Sequence, residues 1–191
     1  MVNRETWLNQ LTKEVKPLFE EHGYYVPSNI RVTCGWCSTG NASQKRAKRI
    51  GECFSASASN DATIEIIISM AIDNPMDVAS ILVHELVHAV VGNDKGHGKI
   101  FRECALKVGL TGKMTATVLS ETLEERLKPI VADLGNYPHA TLNMYETRKK
   151  QATRMLKVKC PTCAYQVRLT RKWLDVGAPN CPVHNELMQE A

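Results

Sequence analysis

The sequence predicts an α+β protein, a small sheet packed on a helix and followed by a separate C-terminal module. Three observations predict it. Apolar residues recur at helical spacing in several stretches. Between the first two of these lie three short runs of strand character, at 30–33, 50–54 and 63–68. Beyond residue 136 the charge balance changes: residues 1–136 carry 15 Lys/Arg against 16 Asp/Glu, whereas residues 137–191 carry 9 against 4. The predicted divisions are a main domain over 1–136, a basic linker over 137–155 and a small module over 156–191. A chain of 191 residues has room for these, and 43% hydrophobic with 23% charged residues suits a soluble globular protein.

No apolar run approaches the roughly eighteen residues of a membrane span, so no membrane partner is expected. Met1-Val2-Asn3-Arg4-Glu5-Thr6 leads into amphipathic sequence rather than an apolar signal core. Seven cysteines, an odd number, suit a reducing compartment better than a disulfide framework. An intracellular, cytoplasmic location is the expectation.

Trp7, Leu8, Leu11, Val15, Leu18 and Phe19 describe the first helix, capped by Asn3 and kinked or ended by Pro17. The run at 30–33 leads into Cys34-Gly35-Trp36-Cys37 and then a polar stretch. A structural turn is the favoured reading of this Cys-x-x-Cys. Half a zinc site with Cys53 and a redox pair stay open as alternatives. Lys45, Arg46, Lys48 and Arg49 offer a basic loop that either faces solvent or helps to hold nucleic acid. In the third strand Ile64, Ile66 and Ile68 alternate with Glu65 and Ile67, as in an antiparallel-type sheet packed on a helix.

Asn74-Pro75-Met76-Asp77 then supplies an N-cap, a first-turn proline and a first-turn acid. Val78, Ile81, Leu82, Leu86 and Val90 give the apolar spacing of a buried helix, with Gly92 as its stop. Within it lies His84-Glu85-Leu86-Val87-His88. Residues four apart stack on one helix face, so both imidazoles can meet one ion. Glu85 sits about 100° further round, able to reach a water without ligating the metal. This is the layout of a zinc hydrolase.

Two residues compete as third ligand, His97 and Glu103. Glycines on both sides of His97 let the backbone turn its ring back toward the helix, which favours it. Glu103 then reads as a solvated or outer-sphere acid. The metzincin spacing would need His where Asp94 stands, which excludes that branch.

His84-Glu85-Leu86-Val87-His88-Ala89 followed by Gly96-His97-Gly98-Lys99-Ile100-Phe101 resembles the SprT-like metalloprotease family, which includes Spartan. The resemblance implies a small zincin-like domain, with His84, His88 and His97 as ligands of a catalytic Zn²⁺ and Glu85 as general base. It also implies, as substrates, proteins crosslinked to DNA or tightly bound on it.

After these a further helix is expected over 99–108, with Cys104 a small core residue, and another from about 118 to 134 through Leu119, Leu123, Leu127, Ile130 and Leu134, interrupted by Pro129. Gly135-Asn136-Tyr137-Pro138 marks a boundary, with His139 at the surface. A linker carrying Arg148-Lys149-Lys150 and Arg154 leads to Cys160-Pro161-Thr162-Cys163 and then Cys181-Pro182-Val183-His184. Two tight pairs of N/S donors make a closed structural zinc site, a zinc ribbon in which metal supplies most of the folding energy. C-terminal ribbons are also common in the family. Lys157, Lys159, Arg168, Arg171 and Lys172 surround it, with Tyr165 and Trp173 interleaved. These can meet phosphates and a base, although Trp173 is expected first as the ribbon's small core.

The leading expectation is thus a metallopeptidase with two Zn²⁺, one catalytic and one structural, acting on DNA-associated protein. The alternative is a nucleic-acid-binding regulator whose protease site is vestigial.

Overall fold

Helix α2 (Pro75–Val91) is the element on which the rest of the N-terminal part packs. Asn74 starts it: its Oδ1 accepts from the N–H groups of Met76 and Asp77 at 2.9 and 3.1 Å. Pro75 takes the first position, where its missing N–H costs nothing. Gly92, at φ 93°, ends it. Val78, Ala79, Leu82, Val83, Leu86 and Val87 are buried, and each Val or Leu among them contributes about 1.5–3 kcal/mol on burial. The structure is a computed structural model that describes residues 3–38, 49–142 and 155–191. It divides into two compact units, Met1–Asn143 and Met144–Ala191.

In the first unit, α1 (Arg4–Glu20) is capped by the Asn3 side chain, 2.8 Å from the Thr6 N–H. It continues past Pro17, so the helix does not end there. Pro17 and Lys13, whose carbonyl loses its helical donor, both lie on the exposed face, where water can serve that carbonyl. Strands β1 (Ile30–Gly35), β2 (Gly51–Phe54) and β3 (Ile64–Ser69) form a sheet in the order β1-β3-β2. β3 runs parallel to β1 and antiparallel to β2, so the expected antiparallel-type sheet is in fact mixed. The physical reason lies in β3 itself. Four of its six residues are isoleucine, which suits a central strand whose Ile66 and Ile68 are fully buried.

After α2 come a short 3-10 turn (Asn93–Lys95) and helix α3 (Lys99–Lys107). A hairpin of β4 (Leu110–Lys113) and β5 (Ala116–Leu119) follows, then α4 (Glu121–Leu134). Val118 and Leu119, expected to open the helix, therefore belong to a strand. Ser120 is the real start, its Oγ accepting from the Leu123 N–H at 3.2 Å. Pro129 does not interrupt α4, since both it and Glu125, one turn earlier, are exposed.

The chain stays on this unit after α4. Tyr137 is buried and its ring lies 5.0 Å from that of Trp7, while Trp7 Nε1 donates to the Gly135 carbonyl at 3.1 Å. His139, expected at the surface, is half-buried with Nε2 3.0 Å from the Met70 carbonyl oxygen. Residues 137–142, read from sequence as the start of the linker, thus pack on the first unit. Arg148, Lys149, Lys150 and Arg154 lie outside the described residues.

The second unit holds β6 (Leu156–Lys159), β7 (Gln166–Leu169), the one-and-a-half-turn helix α5 (Arg171–Val176) and β8 (Gln189–Glu190), in sheet order β7-β6-β8. Its core is Val158, Cys160, Cys181 and Met188, with Val167, Leu169 and Leu174 against it. Trp173 is 58% exposed rather than the core residue expected, because α5 turns the adjacent Leu174 inward instead. Among the described residues no helix is long and apolar enough to cross a membrane.

Candidate metal centre

One turn of α2 separates His84 from His88, and the loop after the helix returns His97 to the same place. That return depends on Gly96, whose φ of 49° and ψ of −141° suit no side chain. His97 Nε2 lies 3.2 Å from His84 Nε2 and 3.2 Å from His88 Nε2. Nitrogens held about 2.0–2.1 Å from a tetrahedral zinc stand about 3.3 Å apart, so the donor set fits such an ion. Phe101, fully buried on α3, packs its ring against all three imidazoles, with centroids 4.4, 4.8 and 5.0 Å from His88, His97 and His84.

The three rings are also in the protonation state that ligates. Burial, then the His97 charge, lowers His84 to about 4. Burial, then His84, His97 and Arg49, lowers His88 to about 3. Burial and Arg49 lower His97 as well. Neutral imidazoles at physiological pH can each offer a lone pair.

Glu85 projects beside the trio and is 6% exposed. Burial pushes its carboxyl up to about 8, with Arg49 pulling down and Glu52 pushing up. The group can therefore hold a proton near neutrality.

Strand β2 comes close because position 51 is glycine. A Cβ there would meet Glu85 Oε1 at 2.5 Å and Ile81 Cγ2 at 2.6 Å. The next residue, Glu52, is buried and accepts from the Ser38 N–H and Oγ–H, both at 2.6 Å, and from the Arg49 guanidinium. Burial pushes the Glu52 carboxyl up, but the Ser38 bonds and Arg49 outweigh it and hold it below its ordinary range. Arg49, grouped from sequence with a basic loop, is thus tied to Glu52 on the wall of the cleft. Lys45, Arg46 and Lys48 lie outside the described residues.

The cleft is about 790 Å³, lined by His84, Glu85, His88 and His97 on one side and by Arg49, Gly51 and Thr117 among others. Thr117 was not singled out from sequence. Its Oγ1 lies 2.8 Å from His84 Nδ1. The hairpin that carries it could have been signalled by Gly112, at φ 83° beside its turn. His88 Nδ1, by contrast, is buried without a hydrogen-bond partner among the described residues.

Glu103 stays away from the trio, 57% exposed and 3.0 Å from Lys107 Nζ one turn on. Cys34, Cys37 and Cys53 are buried and free, and burial pushes the Cys37 and Cys53 thiols up to about 12. Thiols so far from ionisation are poor nucleophiles and poor ligands. Among the described residues they join no cluster of three potential ligands.

Cys160, Cys163, Cys181 and His184 form a second cluster of donors. Cys163 Sγ lies 3.5 Å from Cys181 Sγ, and His184 Nδ1 lies 3.9 Å from the sulfurs of Cys160 and Cys181. Donors on a tetrahedral zinc with S–metal distances near 2.3 Å stand about 3.6–3.8 Å apart. Both knuckles are built alike. The Cys160 N–H donates to the Tyr165 carbonyl and the Cys181 N–H to the Glu186 carbonyl, each at 2.8 Å. Ala164 and Asn185, equivalent positions, both adopt left-handed backbone with φ of 58° and 53°.

The model of the SprT-like family matches residues 5–122. The chain belongs to the SprT-like family. The match spans α1 through β5, including His84, Glu85, His88, His97, Phe101 and Thr117, and makes this a metallopeptidase-type domain. The Cys160–His184 cluster lies beyond the SprT-like match and stands on its own geometry. No curated protein and no solved structure shows significant similarity to the chain.

Proposed function

We propose that the chain is a zinc-dependent endopeptidase of the SprT-like type that cleaves proteins crosslinked to DNA or held tightly on it. The observation that carries this reading is the convergence of the His84, His88 and His97 Nε2 atoms beside a buried carboxylate. These three residues would hold the catalytic zinc in a zincin-like domain, while Cys160, Cys163, Cys181 and His184 would hold a structural zinc in a ribbon. A zinc ion in the histidine site would acidify a water and polarise the scissile carbonyl. Glu85 accepts the proton of the attacking water and returns it to the departing amine. β2 ends the strand order beside the cleft, and an extended substrate segment can lie along it.

The nucleic-acid side of the proposal rests on the ribbon. Lys157 on β6 stands directly opposite Arg168 on β7, with Lys159 two residues on and so on the same face. Lys159, then burial and Arg168, lower the Lys157 ammonium. Like charges opposed across strands repel, and a phosphate backbone relieves that repulsion. Trp173, exposed with the Lys172 ammonium 5.3 Å from its ring, offers a face on which a base can stack. With all seven thiols free, the reducing cytoplasm is the proposed setting.

The test is cleavage of a DNA-bound protein by the zinc-loaded full chain, with and without chelator, beside Glu85→Gln. The variant should keep two zinc per chain and lose about 10²–10⁴-fold in turnover. Replacing His97 with Ala should remove one of the two ions. Undiminished cleavage by Glu85→Gln removes that residue from the chemistry. Salt-dependent DNA binding without any cleavage by the wild type turns the reading into a nucleic-acid-binding regulator.

A further inference from the structure

We propose that Thr117 is a positioning residue of the metal centre, its hydroxyl accepting the Nδ1 proton of His84 so that Nε2 faces the shared ion. The inference rests on the reading of His84, His88 and His97 as ligands. Its own support is geometric. An imidazole that ligates through Nε2 must carry its proton on Nδ1, and the group that accepts that proton selects the tautomer and the ring plane. Thr117 Oγ1 stands 2.8 Å from His84 Nδ1. Thr117 comes from β5, thirty-three residues away in sequence, and pairs with Gly112 in the hairpin register. The same hairpin contributes Thr115, Ala116 and Thr117 to the wall of the cleft.

The two helix ligands are unequal in this respect. His88 is held by burial, at 7% exposure, with Phe101 4.4 Å away and no partner for Nδ1 among the described residues. His84 is the less buried of the two and has the hydrogen bond instead. Packing orients one ring and the β4–β5 hairpin orients the other. A change in that hairpin is therefore felt at the metal, without any hairpin residue being a ligand.

The experiment compares wild type, Thr117→Val and Thr117→Ser as full chains. Zinc affinity at the histidine site is read by chelator competition, with the ribbon's zinc as internal standard. The tautomer of His84 is read from imidazole nitrogen chemical shifts in the metal-free protein. Valine keeps the shape and strand preference of threonine, and unchanged thermal unfolding of the metal-free protein shows that the fold holds. Thr117→Val should weaken zinc at this site about 10–100-fold and shift His84 toward the Nε2–H tautomer. The ribbon's affinity should not move, and Thr117→Ser should restore both readouts.

Wild-type zinc affinity together with an unchanged tautomer in Thr117→Val overturns the proposal and leaves the ligand assignment intact. A zinc content unchanged by His97→Ala overturns the ligand assignment and this proposal with it.

Discussion

Replacing Gly51 with alanine tests whether the closeness of β2 to α2 is built for Glu85. Real Cβ atoms keep at least 3.0 Å from such neighbours. The added methyl therefore demands about 0.5 Å (3.0 less 2.5) from the Glu85 carboxylate and about 0.4 Å (3.0 less 2.6) from Ile81 Cγ2. Two kinds of relief are open. If Glu85 swings aside, the fold keeps its stability and cleavage falls by as much as the general base contributes, about 10²–10⁴-fold. But Ile81 Cγ2 sits on a β-branched carbon with little rotamer freedom, so that contact pushes the strand itself. Overpacking of this kind costs about 1–3 kcal/mol, or roughly 2–4 °C of melting temperature per kcal/mol.

Thermal unfolding and a peptidase assay on the same preparation separate the two routes. Adding Ile81→Ala should recover part of the stability and show coupling between the sites. A Gly51→Ala protein that melts and cleaves like wild type would refute the account of why β2 carries glycine there.

Phe101→Ala should destabilise the first unit by about 3–5 kcal/mol, whereas Phe101→Leu should keep the fold and weaken zinc at the histidine site; denaturant unfolding and chelator competition check the pair. Beside Cys163, Ala164 carries a left-handed strain that Asn185, beside His184, avoids by residue type. Ala164→Asn should tighten zinc binding by Cys160, Cys163, Cys181 and His184 by a factor of a few, and Asn185→Val should weaken it, as read by chelator titration. The metal-free protein should have a stability maximum near pH 6–7, read from melting temperature against pH. Glu85, raised in the fold from 4.5 to about 8, loses stability as pH climbs through that window. His84 and His88, lowered from 6.5 to about 4 and about 3, contribute stability that is lost as pH falls below 6.5 toward those values. Between 6.5 and 4.5 the two histidines outweigh the single carboxylate, so the acid limb still falls.

Helix α2, its Asn74 cap, its Gly92 stop and the two imidazoles one turn apart were readable from the chain, because helix geometry relates residues four apart whatever surrounds them. The cluster of Cys160, Cys163, Cys181 and His184 was readable for a similar reason, each pair of donors being a matter of near-consecutive residues. Long-range neighbours were not. Nothing near Thr117 in the chain announces His84, and nothing near Gly51 announces Glu85, since each pair meets only once the hairpin and the sheet have docked. Strand order belongs with these. β3 follows β2 in the chain yet lies between β1 and β2, the central place going to the strand richest in isoleucine. Pro17 does not end α1 and Pro129 does not interrupt α4, and the underlying reason is the same. A proline's cost depends on whether the carbonyl it strands is open to water, and burial is a property of the folded chain. Periodicity and consecutive spacing are written in covalent order, whereas contact, exposure and register come from packing, which sums interactions across the whole chain.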